Sequence, residues 1–342
     1  MTKTNYAKNK IFFSFKISNT FKDLCLSMLV FGVMLVIIFN PSLFSSGTID
    51  GVKLFFFSVF PGLFPFMFLT KILTNIGFAL KVSKKFEPVS RKIFGTCGVS
   101  FYAFFMSILS GYPIGAQIIG DLYSKNLITK NEARKMTLFC TTSGPVFVIG
   151  AVGVGMLHSF KLGAIIYISH IVSSFLIGVG FNFISKKDSE IASSFCYNKP
   201  HENNIFSKCL SESINSILLV GGYITIFYLL SELLITLGIF DALTNLLFPI
   251  ASKLGFSKIE AQGILFGIVE ITRGAKQLSN VFVIKLLPII SGLVSLSGIS
   301  IIMQSMAFLK ETKIKMHNFI FGKIVHSILS CFLCQILVII FV

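Results

Sequence analysis

Two short stretches decide how this chain folds: Ser110-Gly111-Tyr112-Pro113-Ile114-Gly115 and Thr141-Thr142-Ser143-Gly144-Pro145. Both are uncharged, both are broken by Gly and Pro, and both lie inside sequence apolar enough for a membrane. Lipid offers no partner to a freed backbone N–H or C=O, so interrupted helix is tolerated at membrane depth only where it is buried in protein or lines a polar cavity. Breaks of this kind mark a binding site.

The sequence around them has the composition of a polytopic membrane protein. Of 342 residues, 54% are hydrophobic and 13% charged, with a mean hydropathy of +0.84, far from soluble averages. The formal charge of +16 does not point to nucleic acid, because the basic residues sit in short runs between apolar segments and form no stripe with interleaved aromatics. The seven cysteines lie mostly in or beside apolar segments, where Cys packs as a small hydrophobe. Cys331 and Cys334 form a C-x-x-C without an accompanying metal-ligand set, so no metal and no cofactor is expected.

Apolar stretches run over residues 24–39, 52–80, 97–119, 136–157, 162–184, 214–240, 259–271, 281–309 and 318–342. A full crossing takes about 20 apolar residues. Reading 97–119 as a re-entrant hairpin turning at Ser110 to Pro113, and 259–277 as a second one turning at Glu270 to Gly274, leaves seven crossings. With the N-terminus in the cytoplasm, 21 basic residues fall on the cytoplasmic side and 6 on the other, as the positive-inside rule requires. Lys71, Arg273 and Lys323 remain within apolar segments. If either hairpin crossed fully, later loops would change sides and the asymmetry would fade. The fold class is therefore all-α and polytopic, with about seven transmembrane helices, two re-entrant hairpins and broken helices.

The order of features repeats. A shift of 161 residues brings Phe86-Glu87-Pro88-Val89 near Leu247-Phe248-Pro249-Ile250, and smaller shifts align Ser143-Gly144 with Ser297-Gly298 and His170 with His326. The resulting domains are a basic tail with a first transmembrane helix (1–40), a first repeat (52–184), a cytoplasmic linker (185–208) and a second repeat (209–342). An odd number of crossings per repeat makes the two insert with opposite orientation, a transporter architecture.

A helix broken inside the membrane offers unpaired N–H groups at one half-helix N-terminus, which draw anions. Pro113 and Pro145 suit the first turn of such half-helices. The solute-binding candidates of the first half are Ser110, Gly111, Tyr112, Pro113, Gln117, Thr141, Thr142, Ser143, Gly144 and Pro145. Those of the second half are Glu270, Thr272, Arg273, Ser295, Ser297 and Gly298, with Gln304 as a further hydrogen-bonding residue. A charge at the bilayer centre costs about 2.5–3.5 kcal/mol, so Arg273 is expected either to meet an anionic solute or to form a structural i, i+3 pair with Glu270. Glu270 is read as holding Arg273 or exchanging a proton. Lys71 and Glu232 align across the repeat but are not expected to pair with each other. His170 and His326 read as interhelical contacts, with a proton relay as the alternative. No P-loop, H-E-x-x-H or G-x-S-x-G is present, and no catalytic role is expected.

At Ser110-Gly111-Tyr112-Pro113-Ile114-Gly115-Ala116, Ile128-Thr129-Lys130-Asn131-Glu132-Ala133, Thr142-Ser143-Gly144-Pro145 and Gly150-Ala151-Val152-Gly153, the chain resembles the YlbJ-type sporulation integral membrane proteins. These belong with nucleoside-recognition or gate-domain proteins, similar to concentrative nucleoside transporters and the membrane part of ferrous-iron transporters. The resemblance implies residence in the outer forespore membrane and passage of dipicolinic acid, a small aromatic dianion. The same residues would serve a nucleoside carried with protons or sodium, and a non-transporting scaffold of spore morphogenesis is the reading from another class. The implied partners are a small anionic solute and the lipid bilayer, without nucleic acid; an oligomer is left open.

Overall fold

The computed structural model describes residues 19–184, 204–282 and 284–342. The basic tail at 1–18, and residues 185–203 of the linker with Cys196, lie outside the described residues. The chain divides into two units, residues 1–46 and 47–342. The first contains α1 (Asn19–Phe39), and the second carries the candidate site and the contacts that support it.

The described residues form helices and turns without a strand. A helical stretch from Pro41 to Asn75 comprises α2 (Pro41–Leu54), a π-turned segment (Phe55–Val59) and α3 (Phe60–Asn75). Gly77, at φ +81°, ends it in the left-handed region that glycine enters without strain, and α4 (Phe78–Ile93) follows with Pro88 inside it. Then come α5 (Val99–Ser110) and α6 (Ile114–Ser124), the arms of the first hairpin, and α7 (Lys130–Phe139). Residues 141–144 are non-helical and lead into a second π-turned segment (Val146–Met156), before α8 (Phe160–Ile184).

The second half repeats that order. The long helix α9 (Ile205–Thr236) ends at Gly238, φ +66°, and α10 (Ile239–Lys253) carries Pro249 inside it. Next come α11 (Lys258–Val269) and α12 (Ile271–Asn280), which meet at Glu270. α13 (Leu287–Leu296) and α14 (Gly298–Phe308) break at Ser297, and α15 (Met316–Phe341) completes the series. Both hairpins therefore turn where the sequence reading turns them.

The distribution of side chains is that of a molecule dissolved in lipid. Phe57, Leu246 and Ile339 are 81%, 71% and 74% exposed, whereas Ser169, Ser173, Ser174, Ser291 and Ser330 are fully buried. Polar groups thus hold helices together from inside. Ser291 and Ser330 hydroxyls meet at 2.8 Å between α13 and α15, and the Ser174 hydroxyl donates to the Phe139 carbonyl at 2.6 Å. Among the described residues, five helical stretches are long and apolar enough to cross a membrane: Pro41–Asn75, Phe160–Phe183, Ile205–Thr236, Ile284–Phe308 and Met316–Phe341. The bent pair α10–α11 adds a sixth if it is one span. The seven-crossing reading also counts Asp23–Phe39, which is apolar but shorter, and the stretch 136–157, divided by its break into α7 and the π-turned segment.

Two helix starts are fixed by reciprocal caps. The Thr129 hydroxyl accepts from the Glu132 N–H while the Glu132 carboxylate accepts from the Thr129 N–H, and Ser257 and Glu260 do the same for α11. Each cap is worth about 0.5–2 kcal/mol and sets where α7 and α11 begin. Glu132 does more: its other oxygen accepts from the Cys97 N–H at 2.9 Å, tying α7 to the start of the first hairpin.

Candidate functional site

The first hairpin turns through Gly111, φ +83°, and a cis Tyr112–Pro113 peptide, with Pro113 at the N-cap position of α6. The turn lies directly against the break after α7. A Cβ on Gly111 would collide with the backbone of Gly144, one on Gly144 would come within 3.0 Å of the Ser110 carbonyl oxygen, and one on Gly115 would collide with the Cys140 carbonyl. Only glycine lets these two chain reversals touch backbone to backbone. Hydroxyls stitch the contact: Ser107 Oγ lies 2.7 Å from Thr142 Oγ1 and accepts from the Thr142 N–H at 2.9 Å.

The second hairpin uses different chemistry for the same approach. Glu270 caps α12 with its own carboxylate, accepting from the Thr272 N–H at 3.1 Å and the Arg273 N–H at 2.7 Å. The two arms close on Gly267 and Gly274, where a Cβ on Gly274 would strike the Gly267 backbone. Ser297, φ +70°, and Gly298, φ +72°, form the break beside it, and a Cβ on Gly298 would stand 3.1 Å from the Gly267 carbonyl oxygen.

Both hairpin tips and both broken helices converge on one cavity of about 310 Å³. From the first tip it takes Ser110, Gly111 and Tyr112, and from the first break Ser143 and Gly144, followed by Val146 and Phe147. From the second half come Glu270, Ile271 and Thr272, then Ser300, Ile301 and Gln304 of α14. Ser58 of the π-turned segment, Gly62 of α3 and Tyr228 of α9 close the remaining wall. Ser110 Oγ is buried and, among the described residues, has no hydrogen-bond partner, leaving a donor and acceptor at the tip. The wall mixes hydroxyls, one amide and one carboxylate with aliphatic and aromatic surface, as small-molecule sites do.

Several candidates from the sequence support the cavity from behind. The Thr141 hydroxyl donates back to the Thr137 carbonyl, and Thr142 is engaged by Ser107. Gln117 donates to Ser216 Oγ at 3.2 Å, and Pro145 is the N-cap of the π-turned segment. Ser297 donates to the Leu296 carbonyl, and Ser295 bonds His170, so neither of these serines nor Gly298 contributes to the cavity wall.

His170 joins the two breaks. Its Nε2 accepts from the Ser143 N–H at 2.7 Å, which places the ring proton on Nδ1, facing Ser295 Oγ at 2.7 Å. His326 stacks on it with ring centroids 4.6 Å apart, and its Nε2 donates to the His170 carbonyl at 2.9 Å. The interhelical-contact reading of the two histidines thus describes their geometry.

Arg273 neither faces the cavity to meet a solute nor forms the i, i+3 side-chain pair with Glu270, the two arrangements expected from the sequence. Glu270 holds Arg273 only through the backbone N–H, because its oxygens are spent on the cap. The guanidinium turns instead to Glu232 of α9 at 2.7 Å, with Tyr228 and Phe266 rings 5.4 and 5.6 Å from its carbon, and it does not line the cavity. A half-turn cap competes for the carboxylate more closely than a long guanidinium can. Sequence reasoning missed Tyr228, Ser58 and Ser300 as wall residues, since each looks like an ordinary polar residue in an apolar helix. Lys71 and Glu232 do not pair with each other; Lys71 is held by Asp121 at 2.7 Å and Glu212 at 3.3 Å.

With this geometry in view, comparison with known proteins gives two matches. The Gate family, described as nucleoside recognition, matches residues 56–160, from the π-turned segment before α3 to the start of α8, and so includes the first tip and first break. Over 328 residues the chain is 25% identical to the sporulation integral membrane protein YlbJ of Bacillus subtilis (strain 168), covering 88% of this chain and 79% of that protein. No solved structure matches. The helical, lipid-facing fold makes this chain a polytopic membrane protein, similar to the Gate family at its first tip and first break and to YlbJ along most of its length.

Proposed function

We propose that the chain is a transporter that carries a small anionic solute through the cavity between its hairpin tips and broken helices, with dipicolinate as the first candidate. The observation that carries this reading is the convergence on one cavity of both hairpin tips, the first break, and α14 beyond the second break. Reversals are costly in lipid and are kept where they line a site. The N-terminal turn of the π-turned segment faces the cavity through Val146 and Phe147, with Ser110 and Ser143 beside it, an arrangement suited to a carboxylate. Tyr112 and Phe147 offer aromatic surface for a ring. The two halves act as inverted repeats, the N-terminus is cytoplasmic, and the site of action is the outer forespore membrane of a sporulating cell. The protein moves its solute without catalysing a reaction.

A second reading has its own support. Glu270 brings a carboxylate to the wall, and together with Gln304 and the hydroxyls it would suit a neutral nucleoside better than a dianion. Uptake of labelled dipicolinate and labelled uridine into proteoliposomes separates the two. Dipicolinate accumulation, lowered about three- to tenfold in Ser110→Ala and Ser143→Ala through one lost hydrogen bond each, is the expected result. Accumulation of uridine alone would give the nucleoside reading. Neither solute accumulating, with well-inserted protein, would leave a scaffold.

A further inference from the structure

Three basic side chains lie within apolar segments of the sequence, and the structure treats one of them differently. Lys71 has Asp121 and Glu212, and Arg273 has Glu232. Lys323, on α15, is 2% exposed, and among the described residues no carboxylate stands within ion-pair distance of its Nζ. Its amine instead donates to the Thr141 carbonyl at 2.6 Å and lies 2.9 Å from Tyr112 Oη, 4.3 Å from the centre of the Tyr112 ring and 5.5 Å from that of Phe319.

Among the described residues, the elements around Lys323 supply no counter-charge. α13 and α14 contain no ionisable residue, and α8 contributes the imidazole of His170. His326 lies one turn along α15 itself. The Glu132 carboxylate of α7 is occupied by the N–H groups of Cys97 and Thr129, and the other charged residues of α7, Lys130, Arg134 and Lys135, are basic. An ammonium buried here without an anion is expensive, and two neutral acceptors with an aromatic face repay only part of that cost, so the charged form of Lys323 calls for an anion to complete it.

The position explains what completes it. Tyr112 and the break that starts at Thr141 form the wall between Lys323 and the cavity, so the amine stands one side chain behind the space the solute fills. Of the charged side chains near the site, Glu270 faces the cavity with negative charge, while Arg273 pairs with Glu232 through Nη2 and does not line the cavity. We propose that Lys323 is the specificity-determining cation of this site: a solute carboxylate seated against Ser110, Tyr112 and Ser143 supplies its missing counter-charge, so that the cavity prefers a dicarboxylate to its neutral isostere. The inference rests on the transporter reading above and names the residue that makes it anion-selective.

The test uses one matched pair of probes, dipicolinate and pyridine-2,6-dicarboxamide, which share shape and ring but differ by two charges. Binding of each to the purified full-length protein is measured for wild type, Lys323→Gln, Lys323→Met and Lys323→Arg. Wild type is expected to favour dipicolinate at least about tenfold, the difference of about 1.4 kcal/mol that one unscreened charge readily supplies. Gln and Met should erase that preference by weakening dipicolinate while leaving the diamide within about twofold, and Arg should retain it. Gln keeps polar contact with Tyr112 and Thr141, while Met needs no partner, so one of the two is available if the other does not accumulate. A neutral variant that keeps the wild-type preference overturns the inference while the transporter reading stands. Wild type that binds both probes equally does the same. Wild type that binds neither removes the dicarboxylate reading itself, and the role of Lys323 falls with it.

Discussion

The two hairpins solve one problem with opposite signs. In the first half the long helix α3 presents a cation, Lys71, to an anion on the second hairpin arm, Asp121 of α6. In the second half the long helix α9 presents an anion, Glu232, to a cation on the corresponding arm, Arg273 of α12. The tips differ as well. The first is shaped by glycine contacts and leaves a neutral, hydroxyl-lined edge, whereas the second fills its own helix N-terminus with the Glu270 carboxylate. The comparison teaches that anchoring an arm requires a pair and not a particular polarity, while the charge left at each tip decides what the cavity can attract. In the proposed transporter, the anion would be received by the first half.

The largest expected effect tests the tightness of the first tip. Gly111→Ala places a Cβ against the Gly144 backbone at a φ of +83°, and strain plus collision together cost about 2–6 kcal/mol. Gly298→Ala, the corresponding change beside the second tip, meets its nearest neighbour at 3.1 Å and costs less, although its φ of +72° is also strained. Thermal unfolding of the detergent-purified variants should show Gly111→Ala well below Gly298→Ala, or failing to accumulate. Equal midpoints would mean that the two tips are packed alike.

Next in size are the anchors. Lys71→Met strands two carboxylates, Asp121 and Glu212, and costs about 3 kcal/mol or more; Arg273→Met strands only Glu232, in a pair that is partly exposed, and costs about 1–3 kcal/mol. The exchange Glu232→Arg with Arg273→Glu should recover at least half of the single-variant loss, read as the unfolding midpoint. No recovery would show that the Tyr228 and Phe266 rings around the guanidinium, and not the pairing, hold the arm.

The anchors also show where reading the sequence stops. Hairpin turns at Ser110 to Pro113 and at Glu270, the breaks at 141–145 and 297–298, and the element order were legible because Gly, Pro and charge are rare in apolar sequence and act locally. Lys71, Arg273 and Lys323 stood out for the same reason. Their partners did not, since Asp121, Glu212 and Glu232 lie 50, 141 and 41 residues away, and only the packing of α3 on α9 and of the arms on both brings them close. The division of the candidates into wall and support was equally hidden. Ser143 faces the cavity and Thr142 faces Ser107, a difference of one residue in a non-helical stretch with no periodicity to read.

The smallest effect bears most directly on function. Glu270 does two things at once: it caps α12 through two N–H groups and it places a negative charge on the cavity wall. Glu270→Gln keeps one carbonyl oxygen for the cap, so the stability loss should stay within about 0.5–2 kcal/mol. Binding should move the other way. Removing a like charge from the wall should tighten dipicolinate about three- to tenfold and leave uridine within about twofold, because only the first is repelled. If dipicolinate instead weakens, Glu270 contacts the solute as a hydrogen-bonding or proton-exchanging group, and the second tip is as much a receptor for the anion as the first. If neither ligand responds, the carboxylate belongs to α12 alone, and the contrast between the tips is one of architecture without consequence for the solute.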